Sequence, residues 1–132
     1  MKQPDDETDA AAERLERIAH ARSEIVLDTG LEYRPGDPVC VRILRREHRV
    51  SVTDGGAAIE KAGRPPGWRE VADRVARELI VNVGRHGVIS LPVVAAGPGE
   101  EAIVQRIGRA SVGLYQELLD LEFRAPSGDA AT

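Results

Sequence analysis

Asp54 is the residue of this sequence best placed to do chemistry. It closes the alternating run Val50-Ser51-Val52-Thr53 and is followed by Gly55 and Gly56. A carboxylate at a strand end can serve as acid, base or metal ligand, and two glycines would let a ligand approach the backbone closely. The same residues also suit a structural corner. Asp54 would then cap a short helix, while Gly55 and Gly56 supply the dihedrals of a tight strand-to-helix turn. Nothing in the neighbouring sequence offers Asp54 a second carboxylate, and the corner is the leading reading.

Other chemistries find less support. His20, His48, His86 and Cys40 share no metal-ligand spacing such as i,i+3 or i,i+4, and there is no Cys-x-x-Cys pair. Neither a metal nor a cofactor is expected. Ser23, Ser51, Ser90 and Ser111 lack the Gly-x-Ser-x-Gly elbow of a nucleophile, and Cys40 on an apolar strand reads as an inert thiol. Gly97-Pro98-Gly99 is followed by Glu100 and Glu101, which would repel a phosphate.

The basic stretch is the other candidate. Between Arg42 and Arg69 lie seven cations (Arg42, Arg45, Arg46, Arg49, Lys61, Arg64 and Arg69) against three anions (Glu47, Asp54 and Glu60), in a chain of net charge −4. Four of the cations, Arg42, Arg45, Arg46 and Arg49, fall on one expected hairpin. An Arg-rich ribbon can grip phosphates or an acidic protein. No aromatic rings are interleaved with these arginines, however, and solvated surface charge would explain them as well.

The elements that must carry these residues follow from hydrophobic period. Val39, Val41 and Ile43 alternate with Cys40, Arg42 and Leu44, and Val50 and Val52 repeat the pattern. An antiparallel pair over 39–45 and 48–53 is therefore expected, with Arg45-Arg46-Glu47-His48 as its connection. Before it, 24–27 reads as a short extended run ended by a turn at Asp28-Thr29-Gly30, and Pro35-Gly36-Asp37-Pro38 is a second breaker. After it, a short helix over 57–62 and a longer one from Trp68 to about Val83 are expected, the latter with Val71, Val75, Leu79 and Val83 on one side and Gly84 beyond its end. Glu70–Arg74, Asp73–Arg77 and Arg74–Glu78 would support its outer face.

A further strand over 88–94 contains Pro92, which removes a ladder donor and belongs at a sheet edge. The stripe Ile103, Ile107, Ala110, Leu114, Leu118, Leu121 marks a long final helix, serving as core or as a homodimer seam over 99–123. Gly108 and Gly113 would weaken this helix or mark close packing. A helix over 10–22, with Ala11, Leu15 and Ile18 on one face, precedes the strands. The fold class expected is α+β: a small antiparallel sheet, made of hairpin 39–53 and edge strand 88–94, packed by helices. A single domain over 9–124 would lie between a disordered acidic tail at 1–8 and a loose tail at 125–132.

At 132 residues the chain can build one core. With aromatics at 3%, that core must be aliphatic, which disfavours base-stacking and sugar-binding platforms. The net negative charge disfavours nucleic acid and anionic membranes as whole-molecule partners. One cysteine, no signal-peptide pattern and no apolar run of membrane length lead to the expectation of a cytoplasmic protein.

The runs Gly36-Asp37-Pro38-Val39-Cys40-Val41 and Val50-Ser51-Val52-Thr53-Asp54-Gly55-Gly56-Ala57-Ala58-Ile59 resemble the DUF1828-type family of bacterial and phage domains. The resemblance covers about residues 24–90. It implies a strand ending in an acidic turn followed by a helix, and it carries no activity with it. This chain has Gly55 where the family tends to have a second acid, which removes the carboxylate pair that could have supported chemistry. Three functional readings follow. The first is a non-enzymatic protein-interaction or regulatory module of bacterial or phage type. The second is a nucleic-acid-binding module using the Arg-rich hairpin, and the third a hydrolase or nuclease centred on Asp54.

Overall fold

The computed structural model describes residues 24–131, with side chains described through Arg124. The expected acidic tail at 1–8 and helix over 10–22 lie outside the described residues. In chain order the elements are β1 (Ile25–Arg34), β2 (Asp37–Arg46), β3 (Arg49–Thr53), α1 (Ala57–Ala62), α2 (Trp68–Leu79), β4 (Asn82–Val83), β5 (Ile89–Val93) and α3 (Glu100–Ala131). The five strands form one antiparallel sheet in the order β1-β2-β3-β5-β4, and the fold is α+β.

Strand alternation decides which side chains meet the helices. Val39, Val41 and Ile43 of β2, Val52 of β3 and Ile89 of β5 are buried on one face. Helix α3 crosses that face and touches β1, β2, β3 and β5, while α1 and α2 pack against α3. Its stripe Ile103, Ile107, Ala110, Leu114 and Leu118 is consumed by this core. Each fully buried Ile or Leu contributes about 1.5–3 kcal/mol. The opposite face, carrying Arg42, Leu44 and Arg46 of β2, Arg49 and Ser51 of β3 and Pro92 of β5, meets none of the described helices.

The β2–β3 hairpin pairs as expected, with β2 longer by two residues at its start and one at its end, β3 beginning one residue later, and a tighter turn at Glu47-His48. Several other expectations need correction. Asp28-Thr29-Gly30 does not end a strand; β1 runs through it with an irregular register between Asp28 and Glu32. Gly30 takes φ 84 there, and Thr29 Oγ1 donates to the Val39 carbonyl at 2.8 Å, so the turn residues build a bulge that bends the strand over α3.

Helix α2 stops at Leu79 rather than near Val83. Ile80 adopts φ 57, and the Val81 N–H closes back on the Ala76 carbonyl at 3.1 Å. This is a Schellman stop with Ile where Gly is usual. Asn82 and Val83 beyond it pair as β4, and Gly84 belongs to the β4–β5 turn, donating to the Val88 carbonyl at 2.8 Å. The expected ion pairs along α2 are replaced by Arg69–Asp73 at 2.8 Å within the helix and by Arg74–Glu117 across to α3.

Strand β5 is not the outermost strand, because β4 pairs with Ile89 and Ser90. Beyond those two residues β5 does form an edge, and Pro92 sits there. The Asp54 N–H bonds the Ile89 carbonyl, so hydrogen-bonded pairs recur at Val52–Leu91 and Val50–Val93. Pro92 therefore turns its donorless nitrogen away from β3, past the end of β4. Helix α3 also exceeds its expected span: from 125 on, where a loose tail was expected, the backbone continues helically to Ala131. Extending an established helix adds a bond per residue without a new nucleation cost.

Candidate functional site

Asp54 is 4% exposed and lies inside the fold. Its Oδ1 accepts from the Gly56 N–H at 2.8 Å and the Ile89 N–H at 3.1 Å. Its Oδ2 accepts from the Ser111 hydroxyl at 2.8 Å and, at a longer 3.4 Å, from the Ala58 N–H. An ionised carboxylate offers about four acceptor sites, and all four are used. Gly55 and Gly56 take φ 66 and φ 81 and turn the chain so that its N–H groups converge on the carboxylate. Thr53 closes the corner, donating to the Ile89 carbonyl at 2.8 Å while accepting from the Gly55 N–H at 3.0 Å.

The network extends one step further. Ser111, fully buried on α3, shares a 2.7 Å hydrogen bond with the Tyr33 hydroxyl. Tyr33 is 4% exposed, and burial pushes its phenol up to about 12; the Ser111 hydrogen bond opposes that rise and the Asp54 charge adds to it. Tyr33, Ser111 and Asp54 thus join β1, α3 and the β3–α1 corner through the core. This arrangement fixes structure and leaves no lone pair on Asp54 for a substrate.

The sequence supplied Asp54 and its glycines but not their partners. Tyr33 and Ser111 are 78 residues apart, and Ser111 and Asp54 are 57 apart. One signal for Ser111 was present: it occupies the i+4 position from Ile107 and i+3 before Leu114, a core position in an apolar stripe. A polar side chain there requires a buried partner.

The seven cations between Arg42 and Arg69 do not form one patch. Arg42 lies 3.3 Å from Glu24, and Lys61 is paired with Asp37 at 3.0 Å. Arg45 faces the helices, and its Nη2 donates to both carboxylate oxygens of Glu100 at 2.8 and 2.9 Å, at the start of α3. Arg64 donates to the His86 carbonyl at 2.6 Å, and Arg69 is held by Asp73. Only Arg46 and Arg49 have no ion pair or side-chain hydrogen bond among the described residues. They stand directly opposite each other across the hairpin, both exposed. Like charges in that register repel and destabilise a sheet.

Beside this pair the sheet face that the described helices leave open forms a shallow groove of about 560 Å³. Arg46, His48 and Arg49 line one end; Leu44, Ser51 and Pro92 lie across its middle. Among the described residues, no acidic side chain lines it. The groove residues beyond the arginines were missed by sequence reasoning, because alternation gives the outward phase of each strand but not that β5 lies beside β3. Among the described residues, no three His, Cys, Asp or Glu side chains are grouped to hold a metal ion, and no helix is long and apolar enough to cross a membrane.

No family model, curated protein or solved structure matches this chain. The functional reading rests on its own geometry.

Proposed function

We propose that this protein is a non-enzymatic interaction module that binds an acidic protein segment at the β2–β3 hairpin, on the sheet face that the described helices leave open. The observation that carries this reading is the opposed pair Arg46 and Arg49. Each of the other five cations of the stretch is engaged by a carboxylate or a backbone carbonyl, whereas these two face each other and form no ion pair among the described residues, even with Glu47 of the turn between them. A bound carboxylate would relieve their repulsion and use both forks. The satisfied state of Asp54 supports a binding role over hydrolysis at that corner. The resemblance to DUF1828-type domains and a cytoplasmic setting belong to the same proposal.

Nucleic acid fits the face less well. The groove holds no Phe, Tyr or Trp ring for stacking, and the chain is net negative. The test is fluorescence anisotropy with a labelled short poly-glutamate peptide and, in parallel, a labelled DNA duplex. The peptide is expected to bind the wild type. Changing Arg46→Gln and Arg49→Gln together should weaken it roughly tenfold, since two exposed ion pairs contribute about 1–2 kcal/mol. Binding of the duplex instead of the peptide, or peptide binding indifferent to both substitutions, would overturn the proposal.

A further inference from the structure

The same groove carries a spacing as well as a charge. Its residues fall in rows across the strands. Arg46 and Arg49 form one row, and Leu44, Ser51 and Pro92 form the next, two residues along the strands. Two residues of extended chain span about 6.6–6.8 Å, which is also the repeat of side chains on one face of any extended peptide. A peptide lying along the strand direction with an acidic side chain over the arginine row would bring the side chain two positions on over Leu44 and Pro92. That second row is mainly apolar: Leu44 is half-buried and Pro92 exposed.

The adjoining edge discourages the alternative of pairing through the backbone. Strand β4 already occupies the edge beside Ile89 and Ser90, and Pro92 offers no N–H where β4 ends. Recognition here would run through side chains on the face, for which a groove of about 560 Å³ is a suitable size.

We infer that the segment bound on this face is extended and carries an acidic and an apolar residue two positions apart. This rests on the acidic-partner reading above and adds the apolar residue and its spacing. The groove's charge favours an acid at one end, since the charged side chains lining it among the described residues are Arg46 and Arg49. The apolar row next to it would be wasted on a purely acidic ligand.

The experiment compares three blocked peptides by titration against the full chain, followed by amide chemical shifts. They are acetyl-Thr-Glu-Thr-Leu-Thr-amide, its isomer acetyl-Thr-Glu-Leu-Thr-Thr-amide, and the first peptide with Lys in place of Glu. The first is expected to bind roughly fivefold more tightly than its isomer, as partial burial of one leucine would give. The Lys peptide should not bind. Leu44→Gln should erase the difference between the isomers while leaving their dependence on Glu. The comparison of isomers on the wild type stands even if that variant fails to fold. Equal binding of both isomers, lost together on Arg46→Gln with Arg49→Gln, would overturn the spacing and leave the acidic-partner reading intact. No binding of these peptides or of poly-glutamate would overturn both.

Discussion

Removing the Asp54 carboxylate tests whether the corner is structural, and its cost can be worked from the hydrogen bonds. Asp54→Ala strands two well-placed buried donors, the N–H groups of Gly56 and Ile89, and weakens a third at Ala58. The Ser111 hydroxyl can still turn to Tyr33. A buried donor left without a partner costs about 1–3 kcal/mol, so the total is about 3–5 kcal/mol, a large share of the usual stability of a small domain. Asp54→Asn should be much milder. Its amide oxygen can keep the Oδ1 bonds, and its –NH₂ group can donate to Ser111 but must face the Ala58 N–H, costing about 1–2 kcal/mol. Ser111→Ala removes one arm and leaves the Tyr33 hydroxyl without its acceptor, again about 1–2 kcal/mol. Because both side chains share one network, combining Asp54→Ala with Ser111→Ala should cost less than the two single losses added together. Urea unfolding followed by circular dichroism gives each value. A loss below about 1 kcal/mol for Asp54→Ala would refute the reasoning, as would equal losses for Ala and Asn.

Four further outcomes are expected from the same measurement. Gly108→Ala should destabilise by about 1–3 kcal/mol, because its Cβ would lie 3.0 Å from Thr29 Cγ2, and Thr29 is pinned by its bond to Val39. Gly113→Ala, whose Cβ would meet only Leu79 Cδ1 at 3.8 Å, should stabilise by about 0.5–1 kcal/mol; two changes of the same sign would contradict the packing described. Ile80→Gly should stabilise by about 1 kcal/mol through relief of the left-handed φ of 57, and a loss of stability would contradict the Schellman stop. Tyr33 binds its proton more tightly folded than unfolded, with its phenol at about 12 against an ordinary 10. The unfolded chain therefore releases that proton first as pH rises, and stability should fall across this window by about 1.4 kcal/mol per pH unit. Tyr33→Phe should remove that part of the slope, and an unchanged slope would show that Tyr33 does not carry it.

Much of the fold was legible because its signals are local. The alternation of Val39, Val41 and Ile43 and of Val50 and Val52 gave the hairpin, and the stripe from Ile103 to Leu118 gave α3. The misreadings occur where one residue type serves two geometries. Gly30 permits a turn or a bulge, and only pairing with β2 selects the bulge. Val83 fits both a helical stripe and a strand, and the left-handed Ile80 decides between them, against the usual preference of a β-branched side chain. The corner at Asp54 was readable as a corner, while Tyr33 and Ser111 reach it only through tertiary packing. The arginine cluster was misleading as a sequence feature. Alternation sends Arg45 toward the helices and Arg46 away from them, and the acids that occupy Arg42 and Arg45 come from Glu24 and Glu100.

The binding face itself is tested most directly by an amide chemical-shift titration of the full chain with poly-glutamate. The shifts are expected at Leu44 to Ser51 and Ser90 to Ala95, saturating with added peptide and disappearing when Arg46→Gln and Arg49→Gln are combined. Shifts centred on β1 or α3, shifts that survive the double substitution, or none at all would contradict the account.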